Sequence, residues 1–133
     1  MLYCILIYNA EAQFEGLTKE EDDALVAQHF PLHAKLKAQS KLGPVVRLSP
    51  SAAATTLRND GSLVLDGPYA ETKEQLLGLY LVDCASMQEA IETARQIPSR
   101  CVGALEIRPV SWFDAGLPEV AGQHTTAQPT AEA

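Results

Sequence analysis

The side chains of this sequence that could carry out chemistry concentrate in the segment 66–74. Its ionisable and phenolic residues are Asp66, Tyr69, Glu71, Lys73 and Glu74. Apolar, strand-forming stretches flank the segment on both sides, which places it at the rim of a sheet, where it could build a small polar site. Lys73 is the only base between Arg58 and Arg95, so it is the best candidate to bind an anionic group of a ligand.

Each of these residues also has a simpler interpretation. Asp66 precedes a Gly-Pro pair, and aspartate in that setting commonly forms a turn by bonding to its own backbone. The charged side chains that follow could pair with one another or across a dimer, or stay solvated. Tyr69 and Tyr80 could line the same pocket or pack in the core. The residue types alone leave these alternatives open.

Metal and thiol chemistry find little support. His29 and His33 are four residues apart, a spacing that can place two imidazoles on one helix face, but Pro31 lies between them and no third ligand is obvious. The cysteines are widely spaced and form no C-x-x-C pair; they are Cys4, Cys84 and Cys101. We expect reduced, unreactive thiols, no metal and no cofactor. The sequence contains no nucleotide-binding loop and no nucleophile elbow.

The composition limits the class of protein. The chain has 133 residues, 47% of them hydrophobic, and a net charge of −7. That size and composition predict one globular domain with a buried core. No basic patch is available to bind nucleic acid, and the acidic balance disfavours an anionic membrane surface. The apolar runs are too short to cross a bilayer, and no signal peptide is recognisable. We therefore expect a cytoplasmic protein.

The charge divides the chain into a body and a tail. Residues 1–110 contain all ten bases and 14 acids, whereas residues 111–133 contain three acids and no base. The tail is rich in Ala, Thr, Pro and Gln and lacks periodicity, which predicts a mostly flexible segment. Trp112 and Phe113 precede it, and we expect them to anchor on this subunit or across a dimer.

The hydrophobic pattern predicts the elements that position the polar segment. We expect strands over 2–8, 42–48, 76–84 and 102–110, a hairpin over 55–65, and helices over about 18–39 and 86–97. Thr18 with Glu21 and Ser86 with Glu89 have capping-box spacing. Pro31 falls inside the first helix, so a kink or break is expected near residues 28–31.

The order of these elements indicates the fold. A β-α-β-hairpin-β-α-β order suits a ferredoxin-like α+β sandwich, with one antiparallel sheet and both helices on one face. Several strands are apolar on both sides, and two helices cover only one face of a sheet. The other face should therefore pack on something, and the simplest partner is the same face of a second copy.

The polar segment carries a family resemblance. Residues 66–74 (DGPYAETKE), followed by Gly78-Leu79-Tyr80, resemble the signature of the DGPF subgroup of the YCII-related proteins. Further matches lie in Met1-Leu2-Tyr3, in Leu17-Thr18-x-x-Glu21, in Ile97-Pro98 and in residues 106–110, so the resemblance covers residues 1–110. Tyr69 stands where the family motif has Phe, which keeps the ring and adds a hydroxyl.

The resemblance implies a fold and a class of function. YCII-related proteins have a ferredoxin-like fold and dimerise through their sheets, as a dimeric α/β barrel. A histidine–aspartate pair in a pocket has been proposed as the active site of smaller members, by analogy with muconolactone isomerase. DGPF members are also often associated with extracytoplasmic-function sigma factors, which implies a regulatory or accessory role.

The resemblance assigns the histidine to His29, with His33 as the alternative because Pro31 disturbs the register. A histidine in a closed pocket can act as a base near neutral pH if a carboxylate orients it, and Asp66 is the natural partner. His29 could equally pack beside the apolar stripe of its helix with a satisfied ring nitrogen. In the catalytic interpretation, His29 and Asp66 form the acid–base pair, and Tyr69, Glu71, Lys73 and Glu74 contact the substrate.

Two functions of different classes follow. The first is a protein that binds a small molecule, with a small anionic ligand as one candidate. It is an enzyme of isomerase or lyase type if its pocket is catalytic. The second is a non-enzymatic regulatory module, linked to a sigma factor. Convergence of His29, Asp66 and Lys73 on one concave site would favour the enzyme. An Asp66 that serves only its own turn, with Lys73 in solvent, would favour the binding module.

Overall fold

The computed structural model describes residues 1–98 and 103–116. Two 3-10 turns, at Glu11–Phe14 and Ser51–Ala53, accompany the regular elements. Those elements are, in chain order, β1 (Leu2–Asn9), α1 (Lys19–Ala27), α2 (Phe30–Ala38), β2 (Leu42–Arg47), β3 (Thr55–Arg58), β4 (Leu63–Asp66), β5 (Gln75–Asp83), α3 (Met87–Arg95) and β6 (Ala104–Pro109).

Four of the strands form one antiparallel sheet in the order β2-β5-β1-β6. The register places Ile5 of β1 between Tyr80 of β5 and Ile107 of β6. Each outer strand is reached through helices, so two β-α-β units interlock around the central pair β1 and β5. This is the ferredoxin-like α+β arrangement, and the predicted fold class is confirmed.

The core lies between the sheet and the helices. Ile5, Tyr80 and Val82 are its largest fully buried side chains. Leu32 and Leu36 of α2 pack against this layer, together with Ala90 and Ala94 of α3. Ala90 and Ala94 are themselves buried, so α2 and α3 together cover this face of the sheet.

The predicted first helix is two helices, α1 and α2, with a break at residues 28–29. Thr18 begins α1 with a complete capping box: its hydroxyl accepts from the Glu21 amide at 3.1 Å, and its own amide donates to the Glu21 carboxylate at 3.0 Å. Pro31 lies in the first turn of α2, where its missing N–H costs no helical hydrogen bond. His29 occupies the junction, as the N-cap residue of α2.

The second predicted capping box forms only in part. The Ser86 hydroxyl accepts from the Glu89 amide at 3.2 Å, as expected. The Glu89 carboxylate does not return to the Ser86 amide; it accepts from Lys41 Nζ at 2.5 Å and from the Ala85 amide at 3.2 Å. An ammonium group from the neighbouring loop thus takes the place of the reciprocal bond, which sequence spacing could not reveal.

The hairpin β3–β4 forms a separate two-stranded sheet. Its turn contains Asn59, Asp60 and Gly61, all at positive φ, a conformation that Gly, Asn and Asp tolerate best. Leu57 and Val64 are each 62% exposed. The predicted hairpin is therefore present, and it presents apolar side chains to solvent.

The face of the main sheet that carries no helix is apolar. Leu6, Leu79 and Val46 lie side by side across β1, β5 and β2 and point away from the core. Trp112 is 78% exposed, so it does not anchor on its own subunit. The tail from residue 117 lies outside the described residues. The second copy expected on this face, and the tail boundary at residue 111, remain predictions.

Within the described ranges, no helix is long and apolar enough to span a membrane.

Candidate functional site

A buried phenol between two imidazoles is the central feature of the candidate site. Tyr80 of β5 faces the helices and is 1% exposed. Its hydroxyl oxygen lies 2.7 Å from Nδ1 of His29 and 2.8 Å from Nε2 of His33. His29 lies at the α1–α2 junction, and His33 lies one helical turn further along α2. Residues at this spacing share a helix face, so both rings reach Tyr80. Both candidate histidines thus contact the same hydroxyl, and the choice of His29 over His33 as the catalytic residue stays a prediction.

The single hydroxyl proton of Tyr80 constrains the two rings. A phenol donates one hydrogen bond and accepts others, so it cannot donate to both imidazoles at once. If it donates to His29 Nδ1, His33 must donate through Nε2, and the reverse holds in the other arrangement. A buried hydroxyl that donated to neither ring would leave an unsatisfied donor. The three side chains therefore form one coupled chain of hydrogen bonds.

The surroundings of His29 disfavour its charged form. Burial lowers its pKa, and the charges of His33 and Arg47 lower it further. Burial raises the pKa of Tyr80 well above its ordinary value. At neutral pH His29 is therefore a neutral imidazole beside a protonated phenol, the form in which a histidine can accept a proton.

An arginine–aspartate pair lies beside this cluster. Arg47 ends β2 and donates to Asp22 of α1 through both terminal nitrogens, at 2.9 and 2.7 Å. Each residue acts on the other: the bond lowers the pKa of Asp22 and raises that of Arg47. The pair ties α1 to the edge strand and brings a positive charge close enough to His29 to affect its protonation.

The signature segment lies elsewhere. Asp66 ends β4 opposite Thr55 and is exposed, and within the described chain no hydrogen bond joins it to His29. Glu71 and Lys73 are exposed as well. One chain therefore does not bring Asp66 or Lys73 to the histidine, and the pairing of His29 with Asp66 stays a prediction.

The aromatic and acidic ends of the segment differ in environment. Tyr69 is 74% exposed, and the Arg58 guanidinium carbon lies 4.9 Å from its ring centre. Glu74 is half-buried, and its Oε2 is buried without a hydrogen-bond partner in the described structure. A buried carboxylate oxygen without a partner costs free energy, so Glu74 is the residue of this segment that most needs a ligand or a second subunit.

A cavity of about 680 Å³ lies between the hairpin and the end of the sheet. Glu11 fixes its rim, because its carboxylate accepts from the Ser51 amide at 2.6 Å and from the Ser51 hydroxyl at 2.5 Å. The walls combine apolar groups with hydroxyls and include signature residues; among them are Leu48, Ser51, Thr56, Pro68, Tyr69 and Gln75. A volume of this size suits a small organic molecule.

The described part of the chain offers few groups for metal or thiol chemistry. There, no group of three or more His, Cys, Asp or Glu side chains is arranged to hold a metal ion. Cys84 is buried, and burial raises its pKa and that of Cys4, which keeps both thiols protonated. Cys101 lies outside the described residues.

Sequence reasoning missed three of these residues. Arg47 and Asp22 lie far apart in the sequence and meet only because β2 and α1 pack together, so no local pattern could reveal the pair. Glu11 lay in a stretch assigned as a polar connection. Tyr80 was considered for a pocket shared with Tyr69 or for the core. Its ring lies in the core, its hydroxyl contacts both histidines, and it does not line the cavity that contains Tyr69.

Together, fold and cluster define a ferredoxin-like α+β domain with a histidine-bearing polar site between helices and sheet. The sequence profile of the YCII-related domain matches residues 1–114, and the chain belongs to the YCII-related family. It is also 44% identical over 120 residues to "Uncharacterized protein R00369" of Rhizobium meliloti (strain 1021), an alignment that covers 87% of this chain and 97% of the relative. The family resemblance is thus confirmed, whereas assignment to the DGPF subgroup remains a prediction.

Proposed function

We propose that this protein binds a small organic molecule and that His29 transfers protons to and from it. The observation that carries the proposal is the contact of the Tyr80 hydroxyl with both His29 and His33. A neutral imidazole oriented by a second group is the usual arrangement of a general base. Because Nδ1 of His29 is bonded to the Tyr80 hydroxyl, the proposal requires the arrangement in which Nδ1 donates to that hydroxyl and the lone pair of Nε2 accepts the substrate proton. The reaction class is proton transfer next to a carbonyl, of isomerase or lyase type.

The role of Asp66 is a separate proposal. Tyr80 holds His29 within one chain, so Asp66 can orient the ring only after the hairpin moves or a second subunit approaches. The remaining signature residues (Tyr69, Glu71, Lys73 and Glu74) are proposed ligand contacts, which the wall position of Tyr69 and the unpartnered oxygen of Glu74 support. We further propose a homodimer through the bare sheet face, located in the cytoplasm, where unpaired thiols stay reduced.

Solvent deuterium exchange tests the proton-transfer function without knowledge of the substrate. The protein is incubated in D₂O with small 2-oxo acids and lactones, and loss of the proton next to the carbonyl is followed by NMR. A base that removes this proton returns a deuteron from solvent. We expect catalysed exchange with at least one compound and its loss in His29→Gln. Absence of exchange across the panel would reject the proposal.

Two variants separate the possible orienting groups in the same assay. Tyr80→Phe removes the hydroxyl that holds His29, and Asp66→Asn removes the proposed carboxylate with little change in shape. Loss of exchange in Tyr80→Phe alone assigns orientation to Tyr80. Loss in Asp66→Asn assigns a role to the hairpin carboxylate.

The second candidate is a non-enzymatic regulatory module, favoured by the cavity of about 680 Å³ beside the hairpin. In this function a ligand would alter the hairpin surface that a partner, such as an extracytoplasmic-function sigma factor, recognises. Ala54→Phe narrows the cavity, whereas Ala52→Phe changes an exposed alanine of the same loop that does not line it. A ligand that raises Tm in wild type and in Ala52→Phe, but not in Ala54→Phe, would support this function.

A further inference from the structure

The position of Arg47 places a positive charge beside the acid–base cluster. In the β2–β5 register Val45 lies opposite Tyr80, and Arg47 lies opposite Gly78. Residues two apart on a strand share a face and are about 7 Å apart. Arg47 and Tyr80 therefore project to the same, helix-facing side of the sheet. The sequence favoured Lys73 for an anion, but Lys73 lies on the signature segment, and the charges that act on His29 are those of His33 and Arg47.

The Arg47 side chain is held in place and still accessible. Its two bonds to Asp22 use two of the five N–H donors of a guanidinium and leave the others available. The side chains of Arg47 and Asp22 are 57% and 36% exposed. An ion pair this exposed contributes little to stability, so its clearest effect is to fix where the guanidinium points.

The charges around Arg47 restrict the kind of anion that fits. Asp22 and Asp23 of α1 both act on the guanidinium. A dianionic phosphate would meet these carboxylates at close range, whereas a monoanion meets half of that repulsion. A planar carboxylate also matches the fork of guanidinium donors. The surroundings thus favour one carboxylate group.

We propose that Arg47, held by Asp22, binds the carboxylate of the small organic acid on which His29 acts. The inference rests on the proposed function of His29 and adds the class of substrate to it. The bound carboxylate supplies a negative charge near the imidazole and offsets the effect of the guanidinium. Binding of the acid thereby makes His29 a stronger base when substrate is present.

Pyruvate and its neutral methyl ester form a matched pair of probes for this site. Each is titrated into the full-length protein, and the His29 Cε1–H resonance is followed by NMR. We expect saturable shifts with pyruvate and at least about tenfold weaker binding of methyl pyruvate, as for loss of a charge-assisted bond. We expect Arg47→Gln to weaken pyruvate binding by a similar factor. Arg95→Gln, an exposed arginine paired with Glu92 on α3, should bind like wild type.

Four results would overturn the inference. They are unchanged pyruvate binding in Arg47→Gln, equal binding of pyruvate and its methyl ester, loss of binding in Lys73→Gln alone, and tighter binding of inorganic phosphate than of pyruvate. If Arg47→Gln does not fold, Arg47→Lys keeps the charge without the planar fork of donors, and weaker binding of pyruvate is expected in that variant too.

The variant His29→Gln separates the two proposals. It lacks the imidazole resonance, so the Arg47 Nε–H resonance reports binding of pyruvate instead. If pyruvate binds to His29→Gln and the wild-type protein catalyses no deuterium exchange, the proposed role of His29 is rejected, whereas the carboxylate site at Arg47 is retained.

Discussion

The Tyr80 hydroxyl lies 2.7 Å from Nδ1 of His29, although the two residues are 51 positions apart in the sequence. The contact joins the centre of the sheet to the junction between α1 and α2. It exists because Pro31 restarts the helix just after His29 and because Tyr80 faces the helices. A packing residue of β5 thereby becomes part of the candidate site.

Replacing Tyr80 by Phe should cost stability as well as function. The variant keeps the ring but leaves two half-buried imidazoles without their shared partner. We expect the free energy of unfolding to fall by about 1–3 kcal/mol, measured by urea denaturation. Tyr69→Phe removes the same atom from an exposed ring and should change stability little. Equal effects in the two variants would show that the buried hydroxyl stabilises nothing.

The lowered pKa of His29 predicts a pH dependence of stability. The folded pKa lies below the unfolded value of 6.5, so the unfolded state binds more protons between these two values. Above pH 6.5 His29 is neutral in both states and does not destabilise the fold. As the pH drops below 6.5 toward the folded pKa, protonation of the unfolded state lowers the free energy of unfolding. We expect denaturant titrations from pH 7.5 to pH 5 to show this loss, and a shallower one in His29→Gln. An identical slope in the variant would contradict the assignment.

Part of this architecture follows from the sequence, for identifiable reasons. The capping box at Thr18, the break near Pro31 and the hairpin turn at Asn59-Asp60-Gly61 depend on neighbouring residues, which local chemistry determines. The Glu89 carboxylate departs from its predicted partner because Lys41, which is 48 positions away in the sequence, donates to it. Local rules therefore fail where a tertiary contact competes with them.

The sequence identified the residues of the central cluster as candidates but not the contacts among them. His29 and His33 could be proposed from residue type and family register, whereas their hydroxyl partner depends on the facing of β5. Arg47 and Asp22 meet through packing of an edge strand on a helix. Asp66 was proposed as the partner of His29 from its residue type. It lies on a hairpin that forms its own sheet, so the pairing stays a prediction that a single chain does not test.

The bare sheet face predicts a change in oligomeric state. Leu79 lies at the centre of this face, between Leu6 and Val46. Leu79→Lys should convert a homodimer into monomers, because a lysine there would be buried without a partner. Light scattering after gel filtration measures the mass. Ala34→Lys, on the exposed side of α2, is the control and should remain dimeric. A monomeric wild-type protein would rule the dimer out.

Glu11 should control the order of the cavity rim. Its carboxylate accepts both hydrogen bonds of Ser51, and Glu11→Gln removes the charge that strengthens them. We expect faster hydrogen exchange of the Ser51 amide in this variant, measured by NMR. Glu15→Gln changes an exposed carboxylate four residues later and should leave that amide protected. Equal exchange in wild type and Glu11→Gln would show that the rim does not depend on this contact.

The tautomers of His29 and His33 test most directly whether Tyr80 joins them into one unit. Long-range ¹H–¹⁵N NMR above pH 7.5 identifies which nitrogen of each neutral ring carries its proton. If the Tyr80 hydroxyl donates to one ring and accepts from the other, both rings carry the proton on Nε2 or both carry it on Nδ1. We predict matched tautomers that become independent in Tyr80→Phe. Opposite tautomers in the wild-type protein, or a pattern unchanged in the variant, would contradict the account.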